Sequence, residues 1–167
     1  MAIVLVGGGA RSGKSRYALE LARRAGPRLI YLATAEPLDK EMEERIARHR
    51  ADRAGEFVTI EEPLKIADAI RKSDGDAIVV DCLTLWLSNV MLSFGHDVDT
   101  ETDGVLQAVR GSPATIVLVT NEVGCGIVPE STLGRDYRDR AGVLNQRVAA
   151  VSEEVYWMVF GQPLRVK

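Results

Sequence analysis

The sequence predicts a single α/β domain with a mostly parallel central sheet flanked by helices. Three observations predict it. Short, β-branched apolar runs alternate with segments of helical period along all 167 residues. Several of those runs are continuous rather than alternating in polarity, as strands covered on both faces require. The first run also leads through a glycine-rich turn into an amphipathic segment, a strand–loop–helix unit.

The elements follow in order. Ile3–Val6 starts without the basic residues of a secretory signal and reads as a buried first strand. Lys14–Arg24 has helical spacing of its apolar residues and gives the first helix. Leu29–Ala33 is the second strand, Asp39–Arg53 a basic helix, Phe57–Ile60 the third strand and Leu64–Lys72 the next helix. Ala77–Val80 and Leu83–Leu92 continue the alternation. The polar stretch Gly95–Asp103 is expected to be a mobile surface loop, overlapping the start of a helix over Glu101–Val109. Thr115–Thr120 and Val155–Phe160 are the last strands, with a helix over Asp139–Ser152 between them. No internal repeat or long linker divides the chain, so residues 1–167 are expected to form one nucleotide-handling domain.

Composition narrows the function. Apolar residues make up 46% and charged residues 27%, which excludes a disordered chain. A formal net charge of −3 offers no basic footprint for nucleic acid. No apolar run approaches the roughly 20 residues needed to span a bilayer. Cys82 and Cys125 have neither C-x-x-C spacing nor a histidine beside them, so zinc and a disulfide are both poorly supported. Both are expected to be small buried apolar residues in a reducing cytoplasm.

The chemistry is concentrated in Gly8-Gly9-Ala10-Arg11-Ser12-Gly13-Lys14-Ser15, which satisfies G-x-x-x-x-G-K-[ST] without a mismatch. Glycines let the backbone wrap closely enough for several N–H groups to face one polyphosphate. Lys14 reaches the β- and γ-phosphates, Ser15 offers its hydroxyl to Mg²⁺, and the following helix points its positive end at the same anions. The plainer reading, a glycine-rich turn, fails on context, because a strand precedes the motif and a helix follows it. A nucleoside triphosphate with Mg²⁺ is the predicted ligand, on a P-loop NTPase fold of the RecA-like type. Ala77–Asp81 is a buried strand ending in an acid, the form of a Walker B element, so Asp81 joins Ser15 as a candidate Mg²⁺ residue.

The sequence contains two histidines, His49 and His96. His96 lies in the polar loop and reads as solvated. His49 continues the apolar stripe of Met42 and Ile46, with arginines at positions 45, 48, 50 and 53 around it. Helix geometry by itself favours a core-edge histidine on a basic helix. The functional reading has arginines binding phosphate oxygens while a neutral imidazole, kept uncharged by the neighbouring cations, attacks phosphorus.

The motifs together resemble one family. GGARSGKS at Gly8–Ser15, IYLATA at Ile30–Ala35, RIARHRADR at Arg45–Arg53 and VDCLTLWLSN at Val80–Asn89 occur in order. VTNEVGCGIVP at Val119–Pro129, RDYRDRAGVLNQ at Arg135–Gln146 and the ending Val155–Lys167 complete them. This is similar to the bifunctional adenosylcobinamide kinases / adenosylcobinamide-phosphate guanylyltransferases of cobalamin biosynthesis, along essentially the whole chain.

The resemblance implies two reactions. A nucleoside triphosphate, either GTP or ATP since the sequence does not choose the donor, phosphorylates a hydroxyl of adenosylcobinamide. GTP then forms a guanylyl-histidine enzyme that passes GMP to adenosylcobinamide phosphate, giving adenosylcobinamide-GDP. It implies that His49 is the guanylylated residue; Lys14 is the other catalytic candidate, neutralising charge on the polyphosphate from the P-loop. It implies further nucleotide contacts at Ala33, Thr34 and Ala35, at Arg50, Ala51, Asp52 and Arg53, at Glu61 and at Asp81. Glu61 follows a strand, where a carboxylate suits a guanine edge; without the family it reads as a surface acid.

Asn121, Glu122, Arg135, Arg138, Asp139 and Asn145 cluster in the most specific stretch without individual roles, and Gly124 and Gly126 read equally as a tight turn. Ala33 stands where some relatives have a polar residue, and Gly95–Gly111 is short for the family, putting a peripheral helix in doubt. Relatives form homo-oligomers, trimers in the best-known type; Trp86 and Trp157 serve either an interface or the core. A single-function kinase with a structural His49, and a nucleotide-dependent switch, remain as alternatives. The acidic balance disfavours a DNA-dependent ATPase.

Overall fold

The computed structural model describes residues 2–36, 53 and 55–167. The expected helix Asp39–Arg53, except for Arg53 itself, lies outside the described residues, and with it His49, Arg50, Ala51 and Asp52.

Seven strands form one sheet. They are β1 (Ile3–Gly8), β2 (Leu29–Ala33), β3 (Phe57–Glu61), β4 (Ala77–Asp81), β5 (Thr115–Val119), β6 (Glu154–Val159) and β7 (Gln162–Arg165), in the spatial order β3-β2-β4-β5-β1-β6-β7. Every neighbouring pair is parallel except β6 and β7. The described helices are α1 (Lys14–Arg23), α2 (Ile66–Lys72), α3 (Leu83–Leu92), α4 (Val98–Gly111) and α5 (Thr132–Val151).

The continuous apolar runs have the cause expected of them. Alternate residues of one strand enter two different cores. Leu5, Leu32, Val80 and Leu118 pack with residues of α2–α5, whereas Val6, Tyr31, Val79 and Val119 pack on the other face with Ala18, Leu19 and Ala22 of α1. Trp86 is fully buried in the first core and donates its indole N–H to the Leu64 carbonyl at 2.8 Å, so it is a core residue.

Four details depart from the sequence expectation. The stretch Gly95–Asp103 is largely helical, because α4 begins at Val98. The Asp97 carboxylate accepts from the Thr100 N–H at 2.9 Å, and Asp99 and Glu101 lie in the positive first turn. Polarity that reads as a loop is in fact a capped helix start, and the peripheral helix in doubt is present. Helix α5 likewise starts at Thr132 rather than Asp139, with the Ser131 hydroxyl accepting from the Gly134 N–H at 3.1 Å. Strand β7 was not expected; Phe160 and Gly161, both at positive φ, form the two-residue turn that returns it along β6. Cys82 is buried as expected, but Cys125 is exposed in the loop after β5.

Candidate functional site

The glycine-rich segment leaves the C-terminal end of β1 and enters α1. Gly8 (φ 146°), Arg11 (φ 54°) and Gly13 (φ 94°) take positive φ, which turns the loop back over its own strand. Gly13 is the N-cap of α1 and no side chain caps its first N–H groups, the arrangement of a backbone anion cradle. Lys14 is buried, and its ammonium donates to the Gly9 carbonyl at 2.5 Å. The Ser12 hydroxyl is buried without a hydrogen-bond partner. Gly9, Ala10 and Arg11 are exposed at the mouth, while Ser15 is half-buried at the start of α1.

A Cβ on Gly8 meets Ser12 Oγ at 2.9 Å and the Met158 carbonyl of β6 at 3.0 Å. The second obstacle is backbone and cannot swing aside. Gly8→Ala therefore lowers stability by about 1–3 kcal/mol and weakens nucleotide binding in parallel. Thermal unfolding with and without a GTP analogue measures both; an unchanged ligand-induced shift speaks against a cradle built on this contact.

The other candidate residues end the neighbouring strands in one row. The register pairs Glu61 with Ala33, Ala33 with Asp81, Asp81 with Val119 and Val119 with Val6, two residues before Gly8. At about 4.8 Å per strand, Asp81 lies about 10 Å from β1 and Glu61 about 19 Å away. The row thus runs from the phosphate cradle through the acid of β4 to an exposed carboxylate at the far edge.

Thr34 is fully buried beneath this row. Its hydroxyl donates to the Cys82 carbonyl at 2.9 Å and accepts from the Cys82 N–H at 2.8 Å. Its N–H donates to the Asp81 carbonyl and its own carbonyl accepts from the Asn89 amide. Thr34 is therefore a clasp that joins the ends of β2 and β4, and the half-buried Ala33 and Ala35 flank it.

Asp81 is half-buried, and its Oδ2 accepts from the Tyr31 hydroxyl at 2.8 Å. Burial, and then the charge of Asp81, push the Tyr31 phenol far above its usual range, so it remains the donor. The Arg53 guanidinium lies 3.6 Å from the centroid of the same ring. Burial also pushes the Cys82 thiol up, which leaves it an inert neutral group. Among the described residues no cluster of three or more His, Cys, Asp or Glu side chains is placed to hold a metal. The donors present fit Mg²⁺ nonetheless: it needs only one or two protein oxygens beside substrate phosphates, which Ser15 and Asp81 offer.

The loop after β5 acquires its roles from the geometry. The Glu122 N–H donates to the Gly8 carbonyl at 3.1 Å, tying this loop to the cradle. The Asn121 amide donates to Thr84 Oγ1 at 2.8 Å. Asn145 of α5 accepts from the Thr120 hydroxyl at 2.7 Å and donates to the Asn121 carbonyl at 3.2 Å. Arg135 donates to the carbonyls of Pro129 and Glu130, and Arg138 pairs with the adjacent Asp139. Asn145→Ala takes the acceptor from the Thr120 hydroxyl and the donor from the Asn121 carbonyl, and costs about 1–3 kcal/mol. Urea unfolding checks it, and a change below 0.5 kcal/mol, about the scatter of surface substitutions, counts against the bracing role.

Tyr31, Asn89 and Thr120 are the residues that sequence reasoning passed over. A signal was present for Tyr31: a phenol inside an otherwise apolar run must find a partner when the run is buried.

The chain matches the family described as "Cobinamide kinase / cobinamide phosphate guanyltransferase" over residues 4–166. It is 45% identical over 166 residues to the bifunctional adenosylcobalamin biosynthesis protein CobP of Pseudomonas aeruginosa, covering 98% of this chain and 96% of that protein. It is 39% identical over 184 residues to the bifunctional adenosylcobalamin biosynthesis protein CobU of Salmonella typhimurium, covering 99% of each. Among solved structures it resembles the RadB recombinase with a TM-score of 0.51 and 14% identity, over 93% of this chain and 73% of that one. At that identity the likeness is to the fold, a P-loop NTPase sheet in which one strand, here β5, separates the loop strand from the strand ending in the acid.

Proposed function

The chain belongs to the cobinamide kinase / cobinamide phosphate guanyltransferase family, and from that membership we propose how its one domain divides the two reactions among its residues. The chain is a bifunctional transferase of adenosylcobalamin biosynthesis, first a kinase and then a guanylyltransferase. The observation that supports the assignment of its residues is the alignment of the Gly8–Ser15 cradle with Asp81 and Glu61 along one edge of the sheet. Open α/β sheets bind their ligands at that edge.

In the kinase step an oxygen of the cobinamide hydroxyl attacks the γ-phosphorus, and the bond to the β-phosphate oxygen breaks. GTP is the donor, with ATP as the second nucleotide accepted. Lys14 and the N–H groups of the cradle are fixed before the reaction and face the charge that spreads over the phosphoryl oxygens. Mg²⁺, held by Ser15 and Asp81 when bound, supplies further neutralisation of the polyphosphate.

In the second step a nitrogen of His49 attacks the α-phosphorus of GTP and pyrophosphate leaves. An oxygen of adenosylcobinamide phosphate then attacks the same phosphorus, the nitrogen–phosphorus bond breaks and adenosylcobinamide-GDP forms. Splitting one displacement into two is the covalent strategy of an activated nucleophile. Arg50 and Arg53 are assigned to the phosphates, the Ala51–Asp52 backbone to the ribose side, and Glu61 to the guanine edge. Ala33 and Ala35 contact the nucleotide through their backbone, and Thr34 holds them in place. No described helix is long and apolar enough to cross a membrane. We assign the enzyme to the cytoplasm as a homo-oligomer, a trimer, that acts on no nucleic acid.

The test is to follow products from cobinamide and GTP by chromatography with mass detection. The reading expects cobinamide phosphate first and cobinamide-GDP after it, with pyrophosphate released in the second phase only. Accumulation of the phosphate alone identifies a kinase without the transferase.

A further inference from the structure

Tyr31 belongs to the apolar core by position, since it points to the α1 side of β2 among Val4, Val6, Val79 and Val119. Phenylalanine has the shape for that place. What the phenol adds is one O–H group, and that group is spent on Asp81 Oδ2 at 2.8 Å. The ring face is also occupied: the Arg53 guanidinium sits 3.6 Å from its centroid. Arg53 is 4% exposed, and its Nε is buried without a hydrogen-bond partner. A buried donor of this kind is costly unless a ligand completes it.

We propose that Tyr31 is a positioning residue that holds two arms of the site at once: its hydroxyl orients the Asp81 carboxylate toward the metal–phosphate side, and its ring seats Arg53 at the end of the guanylylation segment. This rests on the reading of Asp81 as a Mg²⁺-supporting acid and of Arg53 as a nucleotide contact. Holding Oδ2 leaves the other oxygen of the carboxylate to serve the cation and stops the acid from rotating away. Seating Arg53 on a ring holds a desolvated guanidinium against one face of Tyr31 and leaves its unpartnered Nε–H for an anion. Because one side chain does both, the acid of β4 and the arginine keep a fixed separation. Outer partners of metal-supporting groups act in this manner.

The test uses Tyr31→Phe, Tyr31→Leu and Asp81→Asn in the full chain. The first readout is Mn²⁺ affinity in complex with a non-hydrolysable GTP analogue, followed by electron paramagnetic resonance. The second is the rate of GMP adduct formation at saturating Mg²⁺. Tyr31→Phe keeps the ring and loses the hydroxyl, so it weakens Mn²⁺ binding by about 10-fold. Its thermal midpoint stays close to that of the parent, and saturating Mg²⁺ restores its adduct rate. Tyr31→Leu also loses the seat of Arg53, so saturating Mg²⁺ fails to restore its rate and its KM for GTP rises. Unchanged Mn²⁺ affinity in Tyr31→Phe, with weakened affinity in Asp81→Asn, overturns the proposal while leaving the metal reading of Asp81 in place. Unchanged affinity in Asp81→Asn removes that reading and the proposal with it. Equal rates for the Phe and Leu variants at saturating Mg²⁺ overturn the Arg53 arm.

Discussion

Lys14→Ala lowers kcat/KM for phosphoryl transfer on the order of 10³-fold, about 4 kcal/mol of transition-state stabilisation. The magnitude follows from where the charge is held. Lys14 is buried at the first turn of α1, with its ammonium against the Gly9 carbonyl at 2.5 Å. It is therefore a charge placed inside the loop that wraps the polyphosphate, where water screens it little. Lys14→Arg recovers little of the loss, because a planar fork does not fit where a compact ammonium reaches under the loop. Initial rates with cobinamide and GTP measure the effect, and circular dichroism of each variant separates it from unfolding. A loss smaller than 10-fold in a folded Lys14→Ala protein removes Lys14 from the catalytic group.

His49→Ala abolishes the covalent GMP adduct and the formation of cobinamide-GDP, and leaves the kinase step within a few-fold of the parent. The asymmetry is the informative part. A nucleophile that forms the bond to phosphorus has no substitute, since the alternative is direct attack by a phosphate monoester, a poor nucleophile repelled by the anion it approaches. The phosphoryl transfer, by contrast, draws on Lys14 and the cradle. Intact mass after incubation with Mg²⁺ and GTP reads the adduct directly, and mild acid releases it if the bond is to nitrogen. An adduct that survives in His49→Ala moves the nucleophile to another residue. A variant that loses both reactions makes His49 a structural residue of a shared site.

Much of this was legible in the sequence because the physics involved is local. The Gly8–Ser15 loop needs particular residues at particular spacings, and a strand buried on both faces has to be apolar throughout, so β1, β2, β4 and β5 announce themselves. The elements that were missed are those whose signal depends on partners. The first turn of α4 is polar because Asp97 caps it, and polarity alone also describes a loop. Strand β7 has four exposed residues including Pro163, and it exists only because the Phe160–Gly161 turn lays it along β6. In the site, Thr34 read as a nucleotide contact, yet its hydroxyl is consumed by the Cys82 backbone, which is 48 residues away in the chain. The same holds for Tyr31 and Asn145: each acts on a residue far off in sequence, and no local pattern records such a pairing.

The position of β1 has a consequence for how the molecule is made. Its neighbours are β5 and β6, and the register joins Val4 to Val117 on one side and to Glu154 on the other. Among the described strands, β1 is thus the one whose partners lie farthest along the chain. Closing such long loops is costly in entropy and slow, and synthesis runs at about 5–20 residues per second. The phosphate loop follows β1 directly and closes over Met158 of β6. The phosphate loop of a growing chain is therefore not braced until β6 has emerged, and retention of GTP by the newborn protein reports that β6 has docked on β1.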